Sequence, residues 1–367
     1  MQSQHELLRP DEQATLVLRR LYERYGYKKF RMNRFEEYDF YAVNRDFLAN
    51  GQIITFTGLD GKLMALRPDV TLSIVKKTQA DAGAADRLYY TEPVYRPCKH
   101  ASAYRESFQV GVEHIGEITP YASVEVVSLA ARSLSLIEAD CVLDISHTGY
   151  VEGLLAGLPM DDLTRRAVRR CIEEKNAHEL RLAVADTLSG EEAARLAAVA
   201  QLSGPFPQAL PEARALASGE MMLAAIAELE TLYAAMAASG EAGPLRLDFS
   251  ITSDAKYYSG LMLRGYIRGV PSAVLSGGRY DPLLRRMGKP GLSAMGFAIY
   301  FDELARFLSA EADTAVETVV LYKPDADPAA VTRMVHSRVA RGERVWAGTA
   351  LPKGLTWSRV LEVNGHA

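Results

Sequence analysis

A change of pattern in the middle of the chain constrains the architecture more than any other feature. Residues 157–243 are rich in Ala, Leu, Glu and Arg, whereas the segments on both sides contain short strand-like runs. Within the middle segment, apolar side chains recur at helical spacing: Met222, Ala225, Ile226, Leu229, Leu232, Tyr233 and Met236. The pattern therefore predicts a helical insertion at about 157–243 between two β-rich halves, and with it an α+β fold.

The flanking segments predict a succession of short elements. A first helix is expected over 10–25, because Pro10 suits a helix start and Gly26 suits a helix end. Strands are expected over 53–56, 63–66, 88–91, 107–115, 245–250, 257–266 and 273–275. Further helices are expected after Ser123 and over 296–308. A strand, a helix and a second strand after residue 316 predict a small C-terminal α/β unit that is cut short by the end of the chain.

The composition excludes several classes of protein. The chain has 367 residues, of which 48% are hydrophobic and 24% are charged, as in ordinary soluble globular proteins. A net charge of −4 does not predict a nucleic-acid partner. The polar N-terminus does not resemble a secretory signal, and no apolar run predicts a membrane span. Three widely separated cysteines favour a reducing compartment, so we expect a cytoplasmic protein that binds neither nucleic acid nor membrane.

Sites for metals and phosphate groups are not predicted. A zinc site needs about four ligands at related spacing, and the pair Cys98 and His100 has no second pair to complete it. The chain has no GxxxxGK[ST] loop, no GxGxxG after a strand and no GxSxG elbow. Gly277 and Gly278 in SGGRYD therefore predict a tight turn or a close backbone approach.

The predicted strand SFQVGVEHI carries a polar pattern that fits a ligand site. Alternation places Gln109, Gly111 and Glu113 on one face, and the intervening apolar residues on the other. A glycine between two polar side chains leaves an open floor on which a ligand can lie. A solvated face with a chance glycine explains the pattern equally well, so the residues alone leave both interpretations open.

Two further segments carry candidate ligand-binding groups. LRPDVT places the carboxylate of Asp69 and the hydroxyl of Thr71 beside a turn, although Asp69 taken alone is best explained as a helix cap. KYYSG offers the phenols of Tyr257 and Tyr258. Adjacent residues in a strand point to opposite faces, so we expect at most one of the two tyrosines to face a pocket and the other to pack in the core.

These segments occur in an order that resembles histidyl-tRNA synthetase, a class II aminoacyl-tRNA synthetase. The resemblance covers roughly residues 10–308 and rests on YGYKKFRMNRFEE, LRPDVT, VYRPCKHASAYRESFQVGVE, DAKYYSG and LSGGRYDPLLRRMG followed by SAMGFAI. It implies an antiparallel sheet flanked by helices, with the helical insertion described above. On this basis we expect a class II synthetase-like domain over 1–315 and a small truncated α/β domain over 316–367.

Several residues depart from the synthetase pattern where ATP would bind. Arg96 is followed by proline and cysteine where the family has an acidic residue that contacts adenine. Ala103 stands in place of a loop arginine, Ser253 in place of the catalytic arginine, and Glu303 in place of the arginine that holds ATP. ATP needs fixed cations, so these changes imply that nucleotide binding is lost. Asn33 replaces the proline of the first motif, which weakens the expectation of the usual dimer contact there.

The residues that match the family's histidine pocket are retained. They are Asp69, Thr71, Arg96, Gln109, Glu113, Tyr257 and Tyr258. A pocket that keeps the amino acid and loses the nucleotide resembles the regulatory subunits of ATP phosphoribosyltransferase, and so does the stretch DISHTGYVEGLLAGL. The resemblance implies a chain without catalytic residues, cofactor or metal. Its implied function is to activate a short-form catalytic subunit and to transmit feedback inhibition by histidine.

The same resemblance implies the assembly. We expect a hetero-oligomer with the short-form ATP phosphoribosyltransferase catalytic subunit, a hetero-octamer built on a dimer of this chain, with histidine as the small-molecule effector. The alternative is an enzyme: a divergent histidyl-tRNA synthetase or a synthetase-like protein that activates an amino acid. A working class II site should keep its ATP-binding arginine, and this residue discriminates between the two hypotheses.

Overall fold

The computed structural model of the chain describes residues 8–48, 53–80, 83–97, 103–252, 257–308 and 315–363. Its elements form two compact units, the larger of which is Glu12–Ala305, while the smaller contains the last elements of the chain. The helices are α1 (Pro10–Arg24), α2 (Tyr38–Val43), α3 (Thr71–Lys77), α4 (Pro120–Ile137), α5 (Thr148–Ala156), α6 (Asp162–Glu173), α7 (Ala177–Ala183), α8 (Gly190–Gln201), α9 (Phe206–Leu216), α10 (Gly219–Ala238), α11 (Asp281–Arg286), α12 (Phe301–Leu308) and α13 (Pro328–Val339), with a 3-10 turn at Arg45–Phe47.

The strands build three sheets. They are β1 (Lys28–Lys29), β2 (Phe35–Glu37), β3 (Thr55–Thr57), β4 (Leu63–Leu66), β5 (Asp86–Pro97), β6 (Tyr104–Gly116), β7 (Cys141–His147), β8 (Ser203–Pro205), β9 (Leu245–Asp248), β10 (Leu261–Ile267), β11 (Leu275–Arg279), β12 (Ser293–Tyr300), β13 (Ala315–Tyr322), β14 (Val345–Gly348) and β15 (Thr356–Val363). The largest sheet has nine strands in the order β1-β5-β6-β12-β11-β10-β7-β9-β8.

The nine-stranded sheet is antiparallel through its centre. Strands β5, β6, β12, β11, β10 and β7 pair antiparallel with their neighbours, and parallel pairs occur only at β1·β5 and β7·β9. Helix α4 packs against β6, β7, β10 and β12 of this sheet. The sheet with its flanking helices confirms the predicted α+β class.

Two helices predicted in the first half of the chain are present, and the second begins earlier than expected. The predicted helix over 10–25 is confirmed as α1. Helix α4 begins three residues before Ser123, because the Thr119 hydroxyl accepts a hydrogen bond from the Ala122 backbone N–H at 3.2 Å, and Pro120 occupies the first helical position. A proline there costs no hydrogen bond, since the first N–H groups of a helix have no intrahelical partner.

The predicted helix over 296–308 is wrong in its first half. Residues 293–300 form β12, which pairs with β6 and β11, and only Phe301–Leu308 is helical. The run SAMGFAI alternates large and small side chains, and Met295, Phe297 and Ile299 are buried. A short apolar run does not distinguish a buried strand from a buried helix, and here the pairing with two long strands decides the outcome.

The helical insertion is confirmed as α6 to α10, with one addition. Strand β8 lies within the insertion and pairs antiparallel with β9, so the insertion contributes an edge strand to the main sheet. Helix α10 packs against α4, α5 and α9 through one buried stripe: Met222, Ala225, Ile226, Leu229, Leu232 and Met236.

Helix α10 bears on the expectation that the chain has no membrane span. Among the described residues, it is the one helix that is long and apolar enough to cross a bilayer by length and composition alone. Core helices of soluble proteins meet the same criterion, and the buried stripe of α10 is of that kind.

The smaller unit is a three-stranded parallel sheet in the order β14-β13-β15, with α13 packed against β13 and β14. The sequence pattern predicted a strand, a helix and a strand. The structure adds β15, which follows the second predicted strand and pairs with β13. Both tryptophans of the chain, Trp346 and Trp357, belong to this unit.

Candidate functional site

A polar cavity lies on one face of the nine-stranded sheet, over β6, β11 and β12. Its volume is about 70 Å³. One water needs roughly 10–15 Å³ on this scale, so the cavity suits a small polar ligand. All seven residues predicted from the sequence line it: Asp69, Thr71, Arg96, Gln109, Glu113, Tyr257 and Tyr258.

Glu113 is the most strongly held acid of the cavity. Its side chain is buried, its Oε1 accepts a hydrogen bond from the Thr71 hydroxyl at 2.9 Å, and its Oε2 accepts one from the Tyr280 hydroxyl at 2.6 Å. Burial raises the pKa of Glu113 to about 8, the two hydroxyl donors oppose that rise, and the nearby Asp69 adds to it. At neutral pH the carboxyl group is therefore poised to exchange its proton for a cationic ligand.

Two glycines make room for polar groups of the cavity. A Cβ atom on Gly296 would lie 1.9 Å from Glu113 Oε2, and one on Gly111 would lie 2.5 Å from the Tyr90 hydroxyl oxygen. Contacts under 3.0 Å essentially never occur for a real Cβ, so both positions need glycine while the polar groups stay in place. The interpretation of Gly111 as part of an open floor is wrong, because the Tyr90 hydroxyl fills the space above it and Gly111 does not line the cavity.

The turn that carries Asp69 and Thr71 is fixed by a buried arginine. Arg67 has no exposed surface; its guanidinium forms an ion pair with Glu92 at 3.0 Å and donates to the Asn33 carbonyl at 2.7 Å and to the Pro93 carbonyl at 2.6 Å. A buried cation with this many acceptors resists displacement, and it holds the segment after β4 against β5.

Asp69 both caps a helix and lines the cavity. Its Oδ1 accepts a hydrogen bond from the Leu72 backbone N–H at 2.9 Å, near the start of α3. Burial raises the pKa of Asp69, although that backbone donor and the charge of Arg96 oppose the rise. The helix-cap interpretation is supported by the Leu72 bond, whereas the role of Asp69 in binding a ligand stays a prediction.

Arg96 and Gln109 complete the polar lining. The Arg96 Nε donates a hydrogen bond to the Pro68 carbonyl at 3.0 Å, which draws the guanidinium towards the Asp69 turn. Gln109 is 4% exposed and lies opposite Tyr300 in the pairing of β6 with β12. Its amide is available to a ligand from the side of the sheet that carries Glu113.

The expectation that only one of the two adjacent tyrosines faces the pocket is wrong. Tyr257 and Tyr258 precede β10 in a turn, where side chains do not alternate between two faces, and both line the cavity. Their ring centroids are 4.6 Å apart at an interplanar angle of 60°. Burial raises the pKa of both phenols, so both act as neutral hydrogen-bonding groups.

Sequence reasoning missed four polar side chains that line the cavity: Tyr90, Ser276, Tyr280 and Tyr300. Ser276 and Tyr300 share a hydrogen bond of 2.5 Å between their hydroxyl oxygens. Tyr280 follows Arg279 in SGGRYD, a segment that was assigned only to a turn. The sequence offered only a tyrosine shortly after a glycine pair as a signal. That signal does not predict a hydrogen bond to Glu113, which lies 167 residues away along the chain.

Beyond the cavity, Arg105 on β6 is neutralised by acidic side chains. Arg105 forms ion pairs with Asp302 and, at 3.6 Å, with Glu303. The Glu303 Oε2 also accepts a hydrogen bond from the Ser272 hydroxyl at 2.5 Å. Two carboxylates thus hold Arg105, which could otherwise attract a phosphate group.

A metal ion has no binding group in the described parts of the chain, where no three His, Cys, Asp or Glu side chains come together. Cys98 and His100, the pair weighed as half of a zinc site, lie outside the described residues, as do Ser253 and the rest of the segment 253–256.

Comparison with known proteins places the chain. The sequence profile of histidyl-tRNA synthetases matches residues 7–304. A protein of Moorella thermoacetica named ATP phosphoribosyltransferase regulatory subunit is 31% identical over 323 residues, which cover 84% of this chain and 81% of that protein. This chain belongs to the histidyl-tRNA synthetase-like family of ATP phosphoribosyltransferase regulatory subunits.

Solved structures agree with this placement. A protein from Bacillus halodurans C described as an ATP phosphoribosyltransferase regulatory subunit/histidyl-tRNA synthetase superimposes with a TM-score of 0.74 at 26% identity, covering 98% of this chain and 95% of that one. A chain of the ATP phosphoribosyl transferase (HisG:HisZ) complex from Thermotoga maritima has the same fold, with a TM-score of 0.62 at 18% identity over 79% of this chain and 97% of that one. The predicted family and the class II synthetase-like fold are confirmed.

Within this regulatory-subunit family, the cavity and its surroundings explain the departures from the synthetase pattern. The retained residues surround the small polar cavity. Two of the described residues that depart from the pattern, Ala103 and Glu303, lie just before β6 and near the start of α12. There the Arg105 guanidinium is paired with the carboxylates of Asp302 and Glu303.

Proposed function

We propose that this chain is the non-catalytic regulatory subunit of ATP phosphoribosyltransferase, which catalyses the first step of histidine biosynthesis, and that it acts in the cytoplasm. One observation carries the proposal: Thr71 and Tyr280 hold Glu113 in a small polar cavity of about 70 Å³, while Asp302 and Glu303 neutralise Arg105. An enzyme that activates an amino acid with ATP would need unpaired cations at that place.

The effector proposed for the cavity is histidine. Asp69, Thr71 and Gln109 would take its ammonium group, and Glu113 and Tyr258 its imidazole. Arg96 would take part in binding the carboxylate. Glu113 suits the imidazole because a group with a pKa of about 8 can release its proton when a cationic ring arrives.

The absence of catalysis is tested directly. We expect no histidine-dependent exchange of pyrophosphate into ATP by the isolated chain, because the cations that would stabilise the phosphates are replaced or paired. A histidyl-tRNA synthetase measured in parallel provides the positive control. Clear turnover by the pure chain would favour the alternative, a divergent synthetase. That alternative deserves a test because the chain matches the synthetase profile and retains the cavity.

A subunit without catalytic groups changes a reaction only by binding a chain that has them. The proposed partner is the short-form catalytic subunit, in a hetero-octamer built on a dimer of this chain, since symmetric assembly is the usual form of such complexes. Activation follows if this chain binds the active conformation of its partner more tightly than the inactive one. Histidine in the cavity would reverse that preference, and such coupling is typically about 1–3 kcal/mol.

The experiment is a rate assay of the short-form catalytic subunit with and without this chain, repeated with added histidine. We expect a higher rate with the chain and a lower rate when histidine is added. The coupling between the two ligands is reciprocal. If histidine weakens the binding of a substrate to the catalytic subunit, that substrate must weaken the binding of histidine to the complex by the same factor. Two chains that neither associate nor change the rate would refute the proposal.

A further inference from the structure

One arginine outside the cavity has no partner among the described residues. The Arg264 side chain on β10 is half-buried, and within the described ranges its guanidinium forms no hydrogen bond and no ion pair. Its nitrogen atoms are not among the buried polar atoms that lack a partner, so the guanidinium keeps access to solvent. A cation that stands beside a polar cavity in this way is accessible to an anionic group.

The strand register places Arg264 in line with the floor of the cavity. Gly111 pairs with Ala298, Ala298 pairs with Ser276, and Ser276 pairs with Arg264. Directly paired residues of antiparallel strands lie on the same face of a sheet. Arg264 consequently stands on the ligand face, in a row with Ser276 and Ala298, two small side chains that line the cavity.

Larger side chains border this row. Glu113 lies in the register row on one side, above Gly296, and Gln109 and Tyr300 pair in the row on the other side. At its closed end, Gly111 is covered by the Tyr90 hydroxyl. Acidic, amide and phenolic groups therefore flank the row on the cavity side.

The distance between Ala298 and Arg264 leaves room for a small ligand. Two strand spacings of about 4.8 Å separate Ala298 from Arg264, so about 10 Å lies between the middle of the floor and the β10 backbone. An extended arginine side chain spans more than half of that distance. The remainder matches the distance between the charged groups of a small amino acid.

Asp144, the neighbour of Arg264 on the other side of β10, forms no ion pair with it. Asp144 on β7 pairs with Arg264 in register, yet its Oδ1 lies 3.8 Å from the Arg246 Nε and has no hydrogen-bond partner. The negative charge of Asp144 offsets the positive charges of Arg246 and Arg264, although Asp144 forms no ion pair with Arg264. The Arg264 guanidinium therefore remains available to a ligand.

The signs of the charges in the cavity point to what it would bind. The cavity holds two acids, Asp69 and Glu113, and one base, Arg96, whose Nε is engaged with a backbone carbonyl. An α-amino acid brings one carboxylate and one or two cationic groups. The acids match the cationic groups, and among the residues that line the cavity only Arg96 carries a positive charge that matches the carboxylate.

We propose that Arg264 binds the α-carboxylate of the effector and so restricts the cavity to amino acids that carry one. This inference rests on the proposed function of the cavity as a histidine site. It adds a residue of β10 that lies outside the cavity to Arg96, which takes part in binding the same carboxylate from inside the cavity.

The test compares L-histidine with histamine, which has the same imidazole and ammonium groups but no carboxylate. Binding of both is measured by calorimetry to the full chain, to Arg264→Gln, and to Arg268→Gln as the control. Arg268 follows β10, its side chain is 80% exposed, and its removal changes the net charge of the protein by the same amount. A charged hydrogen bond of this kind corresponds to roughly a 10- to 100-fold change in affinity.

We expect Arg264→Gln to bind histidine about 10- to 100-fold more weakly and to bind histamine as the native chain does. Arg268→Gln should bind both as the native chain does. If Arg264→Gln lowers both affinities equally, or changes neither, the inference is refuted while the histidine site stands. If the native chain binds no histidine, both proposals about the ligand fail, and the rate assay still decides on the regulatory role.

A second variant protects the test against loss of folding. Arg264→Lys keeps the positive charge beside Asp144 but loses the planar fork that binds a carboxylate through two hydrogen bonds. We expect it to fold and to reduce the ratio of histidine to histamine affinity, by less than Arg264→Gln does. An unchanged ratio in a folded Arg264→Lys would also count against the inference.

Discussion

The raised pKa of Glu113 makes the stability of the larger unit depend on pH in a predictable direction. In the unfolded chain this carboxyl group loses its proton near its ordinary pKa of 4.5, whereas in the folded protein it keeps the proton until about pH 8. Between these values the folded state binds one proton more than the unfolded state. The contribution of Glu113 to the free energy of unfolding therefore falls as the pH rises, and levels off above pH 8.

The size of the effect follows from the same two values. Each pH unit between them corresponds to about 1.4 kcal/mol, so the whole interval corresponds to about 5 kcal/mol. Because the Glu113 side chain is only 2% exposed, screening by solvent reduces this free energy only slightly. Glu113→Gln removes the titrating group but keeps its shape. We expect the free energy of unfolding of the variant, relative to the native chain, to rise by several kcal/mol between pH 5 and pH 8.

The assay is unfolding in urea at pH 5, 6, 7 and 8, followed by far-ultraviolet circular dichroism. Tryptophan fluorescence would not serve, because Trp346 and Trp357 both lie in the smaller unit. Glu106→Gln is the matched control, since Glu106 is an exposed residue of the same strand. If Glu113→Gln and the native chain show the same dependence on pH, the cavity does not raise the pKa of Glu113, and the argument for its role in binding imidazole is refuted.

Further predictions follow from other contacts. Gly296→Ala should abolish detectable histidine binding in calorimetry while the chain still unfolds cooperatively, because its Cβ would displace the Glu113 carboxylate; native affinity would show that the carboxylate is elsewhere. Arg67→Ala should lower the free energy of unfolding in urea by about 3–5 kcal/mol, since it leaves the Glu92 carboxylate without its cation, and a loss under 1 kcal/mol would contradict the structural role. Glu303→Arg alone should not produce pyrophosphate exchange, and measurable exchange would show that one charge was the only barrier.

Local sequence pattern predicted the part of the site that lies on one strand. Gln109, Gly111 and Glu113 alternate on β6, and a period of two residues is enough to place them on one face. The choice between a ligand floor and a solvated face could not be made from β6 alone. It depends on Gly296, which lies opposite Glu113 in β12, a strand that the apolar run had suggested was helical.

The rest of the site depends on contacts between distant segments. Tyr280 reaches Glu113 because α11 begins directly after β11, and β11 pairs with β12. Arg264 lies directly opposite Ser276, a residue of the cavity lining, through the register of β10 with β11. Periodicity within a segment carries no information on the register between segments, so these side chains could not have been assigned from the sequence without a template.

The ion pairs of Arg105 have a consequence for how substitutions at this site combine. Arg105 has two acidic partners, Asp302 and Glu303, so a cation introduced at either acidic position would leave the other acid to share between two arginines. The effect of each substitution then depends on the residues already present at the other two positions. Such epistasis means that the effects of single substitutions at these three positions do not add up to the effect of a combined variant.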